Sequence, residues 1–404
     1  MYTEQQIDKL IQPLLINERK KEALLLTALA DRLAEINTLL PSDIQTLINI
    51  RKNNRDVKWI NSELSRLSKL SEKEIKSVIK EVAGSDYAEA KPFYDYREKA
   101  FIPFEENITL QRQIQAIELL TLQDFENISN TTAFMLRDFN NPRILIPTDA
   151  SKAYTKLIDY AITAVTSGLD TYNTAISDVI QTLIDKGITA VEYNSESGKT
   201  RRVRTESAVK SRVLDGIRQV QQSVQDVIGQ EIGSDGVEIS VHNFSAPDHE
   251  PFQGHMFTNA EYDKLQTGQD FTDTYGIHFG AVDRPIGMWN CRHFVFRILL
   301  EHTTPNYTLE QLEKIKQTNA DGITYKDKNG NNVTYSKYWC TQKRNLYELD
   351  IRKAKEKQAV AEKAFNTQLA DKWKSRVMQL QNDYTAFCRQ AGISPRYTNL
   401  RIFV

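Results

Sequence analysis

The 404-residue sequence contains few cysteines, the residues that form the disulfides of small secreted proteins and the ligands of compact zinc motifs. Its three cysteines, Cys291, Cys340 and Cys388, contain no CxxC pair, so neither a disulfide framework nor a compact zinc motif is indicated. No apolar run approaches the roughly 20 residues that span a bilayer. The N-terminus, Met-Tyr-Thr-Glu-Gln-Gln, lacks the basic and apolar regions of a signal peptide. We therefore expect free thiols, no membrane span and synthesis in the cytoplasm.

The sequence also lacks an excess of charge of either sign. Its 52 Lys and Arg residues against 53 Asp and Glu residues give a net charge of −1. No global field therefore draws the protein to nucleic acid or membranes, and any DNA contact must be local. The length suffices for two to four domains with real cores.

Helical spacing of apolar residues is found at both ends of the chain. It predicts helices over residues 18–36 and 108–127. Capping boxes at 42–45 and 71–74 predict the starts of two further helices. Between residues 85 and 106 the sequence is rich in aromatic residues and is expected to be irregular. A further helical pattern covers 151–187. The apolar stripe from Phe365 to Phe387 predicts one long helix or a helical hairpin within residues 341–390, and the stripe is either core or a seam for a partner.

The middle of the chain carries the strand signals. Residues 188–193 and 200–205 predict a β-hairpin, 206–228 a helix, and 237–241 a strand that ends at His242. The predicted fold is mainly α with a small α+β core. We expect a helical N-terminal region (1–150), a strand-containing motif region (151–305) and a C-terminal region (306–404) with a β-hairpin and the long helix or helical hairpin.

All six histidines lie between His242 and His302, which raises the question of a metal or catalytic site. His242, His249 and His255 are spaced seven and six residues apart, unlike the HExxH pair of a metal-binding helix. Pro247, Pro251 and Gly254 instead favour a stiff, hydrogen-bonded loop. We therefore expect no metal and no cofactor, with the loop structural.

An enzyme is the first alternative. Asp248, His249, His255, Arg292 and His293 are the types needed for acid–base cleavage of a phosphodiester, in a nuclease- or transferase-like site. A nucleophilic Cys291 would need a histidine partner. His293, two residues on, would point to the opposite face of a strand, so the spacing argues against that pair and against catalysis.

A DNA-binding module is the second alternative. Two acidic residues, Glu206 and Asp215, accompany a set of basic ones: Lys199, Arg201, Arg202, Arg204, Lys210, Arg212 and Arg218. Such a patch binds phosphates in a salt-sensitive manner. A solvated face, or a surface that pairs with an acidic partner protein, is the more common meaning of such a patch.

The histidine-rich segments also resemble the core motif of tailed-phage minor capsid proteins, the head-morphogenesis proteins related to the Mu F-like class. The matching positions are His242, Asp248, His249, Gln253, Gly254 and the run Asn290, Cys291, Arg292 and His293. The resemblance covers roughly residues 150–395. It implies a low-copy structural protein of the virion, inside the capsid, with the portal and other head proteins as partners and a role in head assembly and in DNA packaging or ejection.

Overall fold

The structure is a computed structural model that describes most of the chain. The described residues are 4–37, 55–131, 134–137, 145–148, 190–194, 200–287, 291–326 and 330–404, with single positions at 152, 156, 159, 163 and 184. The predicted capping box at 42–45, the helical pattern over 151–187 apart from those single positions, and the residues Lys199 and Asn290 lie outside them.

Helices dominate the described chain, which confirms the predicted mainly α fold. They are α1 (Glu4–Leu10), α2 (Gln12–Asn37), α3 (Arg55–Ala88), α4 (Lys91–Tyr96), α5 (Ile108–Thr131), α6 (Thr205–Ile232), α7 (Asn259–Gln266), α8 (Leu309–Ala320), α9 (Lys337–Lys363) and α10 (Thr367–Ala391). None of the helices in these ranges carries an apolar stretch of membrane-spanning length.

The described strands form small antiparallel groups. Hairpins pair β1 (Phe134–Arg137) with β2 (Leu145–Thr148), β3 (Ala190–Asn194) with β4 (Thr200–Arg204), β7 (Phe271–Thr272) with β8 (His278–Phe279), and β10 (Ile323–Lys326) with β11 (Asn332–Tyr335). A three-stranded sheet has the order β6 (Met256–Thr258), β5 (Gly236–Ile239), β9 (Val295–Ile298). The predicted hairpin over 188–205 and the predicted strand at 237 are thereby confirmed, within a few residues at their ends.

One prediction for the N-terminal helices is wrong and another is wrong in part. Ser71 does not start a helix but lies inside α3, where its buried hydroxyl donates to Glu18 Oε1 at 2.8 Å. A serine three residues before a glutamate matches the capping-box pattern even when it lies inside a helix. The predicted helix start at Ser71 is therefore wrong. The supposedly irregular stretch 85–106 contains the end of α3 and the helix α4, which buries Tyr94.

A hydrophobic core joins the N-terminal helices to α6. Apolar residues of α6 recur at helical spacing and pack with residues of α1, α3 and α5 in one cluster, among them Val213, Ile217, Val220, Ile79 and Ile114. The N-terminal region and the motif region thus share buried surface. The division of the chain into 1–150, 151–305 and 306–404 stays a prediction.

A buried ion-pair cluster links α2, α6 and α9. Glu206, in the first turn of α6, lies 2.7 Å from Arg19 Nη2 and 3.2 Å from Arg352 Nη2. Burial raises the pKa of Glu206, but Arg352 and Arg19 lower it by more, so the net pKa lies below the ordinary value. Burial and the carboxylate of Glu22 raise the pKa of the adjacent Glu356 to about 7.

The C-terminal helices form a hairpin, which decides between the two predicted forms. Leu380 and Tyr384 of α10 are buried against Ile351 of α9, so this part of the stripe is core of the protein itself. Phe365 lies in the turn, 67% exposed. The Tyr384 hydroxyl donates to Glu348 Oε1 at 3.1 Å and accepts from the backbone N–H of Arg396 at 2.7 Å, which fixes the chain after α10.

We expect the Glu206→Gln substitution to destabilise the protein by about 3 kcal/mol at neutral pH, because it leaves Arg19 and Arg352 buried without their carboxylate. Since the folded pKa of Glu206 is lowered, its contribution is present above the unfolded value and is lost as pH falls through the folded pKa. Urea denaturation should therefore separate wild type and variant at pH 7 and show a smaller difference below about pH 4.5.

The matched control is Asp95→Asn, which breaks an exposed pair with Lys91 and should leave stability nearly unchanged. An equal loss in the two variants would contradict the importance given to the buried cluster.

We expect Leu380→Ala to cost about 3 kcal/mol, because the side chain is buried in the seam between α9 and α10. Met378→Ala on the same helix, where the side chain is 59% exposed, should cost far less. Chemical denaturation of both variants measures the difference. A stable Leu380→Ala protein would mean that the seam is not core.

Candidate functional site

The histidine loop is residues 240–255, the connection between β5 and β6. Backbone hydrogen bonds attach the loop to the sheet at both ends. The Ser240 N–H donates to the Phe294 carbonyl at 2.8 Å, and the Gly254 N–H donates to the Ile239 carbonyl at 2.8 Å. Residues 291–294, which lead into β9, therefore run alongside the loop.

His249 is held inside this loop by hydrogen bonds at both ring nitrogens. It precedes a short 3-10 helix (Glu250–Phe252), and its side chain is 1% exposed. Nε2–H donates to the Arg284 carbonyl at 2.6 Å, which leaves Nδ1 to face Cys291 Sγ at 3.2 Å. The Arg284 side chain in turn pairs with Asp248 at 2.9 Å.

Cys291 and His293 lie on the same side of the chain, contrary to the prediction that they would face apart. His293 Nδ1 is 3.5 Å from Cys291 Sγ, and both side chains are buried. The prediction assumed a strand, but β9 begins only at Val295, so the alternation of a strand does not apply. His242 also lies close, with its ring centroid 4.2 Å from that of His293.

Gln253 and Gly254 shape the loop rather than face the cluster. Gln253 Oε1 accepts from the backbone N–H of His242 at 3.2 Å. Gly254 has φ of 74°, a conformation that favours glycine, and a Cβ there would lie 2.7 Å from Val241 Cγ2 and against Leu312 of α8. These two residues close the loop and dock it on α8.

Arg218 of α6 is a residue of the site that the sequence did not reveal as such. Its buried guanidinium donates to the Cys291 carbonyl and, at 2.5 Å, to Asp215 Oδ1. The two residues are 73 positions apart, so no spacing pattern could have paired them. Through this contact, the long helix α6 fixes the backbone that carries Cys291.

The electrostatics of the cluster lower the pKa of the Cys291 thiol, raise that of His249 and lower that of His293. Burial raises the pKa of Cys291, but the hydrogen bond from His249 and those from backbone N–H groups lower it by more. Burial lowers the pKa of His249, but its contact with Cys291 raises it to a net value above the ordinary one. Burial and the neighbouring His242 and His249 lower the pKa of His293 to about 2.

Two chemistries fit three such side chains. The ligand atoms of His249, Cys291 and His293 all lie within 4.8 Å of one another, close enough to hold one metal ion. Alternatively, Cys291 and His249 have the geometry of a nucleophilic thiol with its base. Cys291 is only 5% exposed, and a buried cysteine is usually unreactive.

Other residues named from the sequence do not join the cluster. Arg292 is exposed, although it lies between Cys291 and His293. His255 packs edge-on against Phe279 at 5.0 Å, and His302 stacks on Tyr96 at 3.9 Å.

The basic residues with described side chains mostly face internal partners. Lys210 pairs with Asp8 at 2.8 Å, Arg204 lies among the carboxylates of Glu22, Glu206 and Glu356, and Arg218 bonds Asp215. Arg212 is half-buried and has an interaction of its own. Arg201 and Arg202 lie in β4, opposite Tyr193 and Glu192, with side chains outside the described part.

The comparison with protein families identifies the chain. The family model described as phage minor capsid protein 2 matches residues 3–389, so the chain belongs to this family. The match also covers the N-terminal helices, which the motif resemblance over 150–395 left out. No curated protein and no solved structure matches the chain. The protein is thus a structural protein of the phage virion.

We expect Gly254→Ala to destabilise the protein more than Gly276→Ala. Both glycines have positive φ, which costs an alanine about 1 kcal/mol, but a Cβ at Gly276 meets no neighbour. The clash with Val241 and Leu312 should add about 2 kcal/mol at Gly254. Thermal denaturation compares the two. Equal losses would show that the loop tolerates the side chain and is not tightly docked on α8.

Proposed function

We propose that this member of the phage minor capsid protein 2 family is a low-copy component of the capsid interior, bound at the portal vertex. There it acts in head assembly and in DNA packaging or ejection. The observation that carries the proposal is the family match over residues 3–389. Synthesis in the host cytoplasm and incorporation during head assembly accord with the three free, buried cysteines.

The proposal includes a structural rather than a catalytic role for the histidine loop. Cys291 and His249 form the arrangement closest to an active site in the described ranges, yet their side chains are 5% and 1% exposed. A nucleophile needs contact with substrate, and the ring and thiol are instead engaged with each other and with the Arg284 carbonyl. A nuclease- or transferase-like enzyme is therefore less well supported than a scaffold.

Direct DNA binding through the basic hairpin is also less well supported. The best-described cations of that segment, Arg204, Lys210 and Arg218, face carboxylates of the same chain. Paired cations release few counterions on meeting DNA, so they contribute little to affinity. Partners among the head proteins are the better-supported contacts.

The proposal predicts the composition of purified heads. Quantitative mass spectrometry should find this protein at a low, fixed ratio to the major capsid protein, close to the copy number of the portal. Chemical crosslinking of intact heads, followed by peptide mapping, should join it to the portal. Protease added outside intact heads should leave it uncut.

The controls separate the rival functions. Absence of the protein from DNA-filled heads together with its absence from empty precursors would overturn the proposal. Cleavage of phage DNA by the purified protein, abolished by His249→Ala and retained in His278→Ala, would favour the enzyme instead. His278 serves as the control because it is exposed and outside the cluster.

A further inference from the structure

The three-residue cluster at the base of the histidine loop has the composition of a metal site. His249 lies in the loop after β5, whereas Cys291 and His293 lie in the segment before β9, so the ligands come from chain segments 42 residues apart. Sequence spacing led us to expect no metal, because it detects only ligands that are close along the chain. The fold supplies the convergence that spacing could not show.

The two sulfur–nitrogen separations fit tetrahedral coordination. Zinc–sulfur bonds of about 2.3 Å and zinc–nitrogen bonds of about 2.0 Å, at tetrahedral angles, place sulfur and nitrogen about 3.5 Å apart. Cys291 Sγ is 3.2 Å from His249 Nδ1 and 3.5 Å from His293 Nδ1. An ion could therefore enter between the thiol and either imidazole, and the ligand atoms of all three residues lie within 4.8 Å of one another.

The surroundings of His249 are those of a metal-binding histidine. Such a ring almost always donates its second N–H to a carboxylate or a backbone carbonyl, which fixes the tautomer and turns the other nitrogen toward the ion. Nε2–H of His249 donates to the Arg284 carbonyl at 2.6 Å, so Nδ1 is directed at Cys291.

His293 supplies an independent observation. Its ring is 2% exposed, yet Nε2 has no hydrogen-bond partner among the described residues. Buried polar atoms are nearly always satisfied, yet this ring is engaged on one side only, where Nδ1 faces Cys291 Sγ at 3.5 Å. Coordination of Nδ1 to an ion would supply the contact that holds the ring in place.

We propose that His249, Cys291 and His293 bind one zinc-class ion that fastens the histidine loop to the segment before β9. A thiolate with two imidazoles is a donor set that suits zinc. The ring of His242 lies against that of His293, beside the three ligands. This site is separate from the role in the phage head, and either proposal can fail without the other.

The test is the metal content of the full-length chain, purified without a histidine tag after expression in zinc-supplemented medium. We expect about one zinc per chain after dialysis, because structural zinc sites bind tightly. Cys291→Ser and His293→Asn should each lower the content at least tenfold. The matched controls, Cys340→Ser for a buried cysteine elsewhere and His278→Asn for an exposed histidine, should retain it.

A cobalt measurement on the wild type keeps the test decisive if the variants do not fold. Co²⁺ added to metal-free protein should give one equivalent of a thiolate-to-cobalt charge-transfer absorption that Zn²⁺ then removes. Wild-type protein with less than about a tenth of an equivalent of zinc and no such absorption would overturn the proposal. So would zinc retained in folded Cys291→Ser.

Discussion

The ion pairs of Glu206 with Arg19 and Arg352 are the constraint around which the described structure is arranged. Charges removed from water are tolerated only where their partners are accurately placed, so the three helices that carry them have little freedom to shift. One of these helices, α6, also packs the N-terminal core and, through Arg218, fixes the backbone at Cys291. The same helix therefore positions the core of the N-terminal half and the base of the histidine loop.

Much of the fold could be predicted from the sequence, because helices and strands leave local periodic signals. The stripe of Val209, Val213, Ile217, Val220 and Val224 identified α6, and the strand before His242 was found within a few residues. The error at Ser71 shows the limit of such signals, since a serine can cap a helix or, as here, bond a glutamate of another helix. Which of these happens depends on packing between helices, which a local pattern does not contain.

The candidate site was less predictable than the fold. Nearly all residues of the candidate site could be named from the sequence, because the clustering of histidines is apparent along the chain. It did not supply the contact between His249 and Cys291, or that between Arg218 and the Cys291 carbonyl, because both join separate elements. The two-residue spacing of Cys291 and His293 led to a wrong prediction, since side chains alternate between faces only inside a strand. Membership in the phage minor capsid protein 2 family adds the setting of the virion but does not assign these contacts.

The ion pairs of Glu206 also bear on how the chain folds as it leaves the ribosome. Arg19 precedes Glu206 by 187 residues, whereas Arg352 follows it by 146. At 5 to 20 residues per second, roughly 7 to 30 seconds pass between the synthesis of Glu206 and that of Arg352. During that interval α6 can pack against the N-terminal helices, but the carboxylate of Glu206 still lacks its second partner, Arg352. Contacts so distant along the chain slow folding, so the last step should be the arrival of α9, which completes the structure from its C-terminal side.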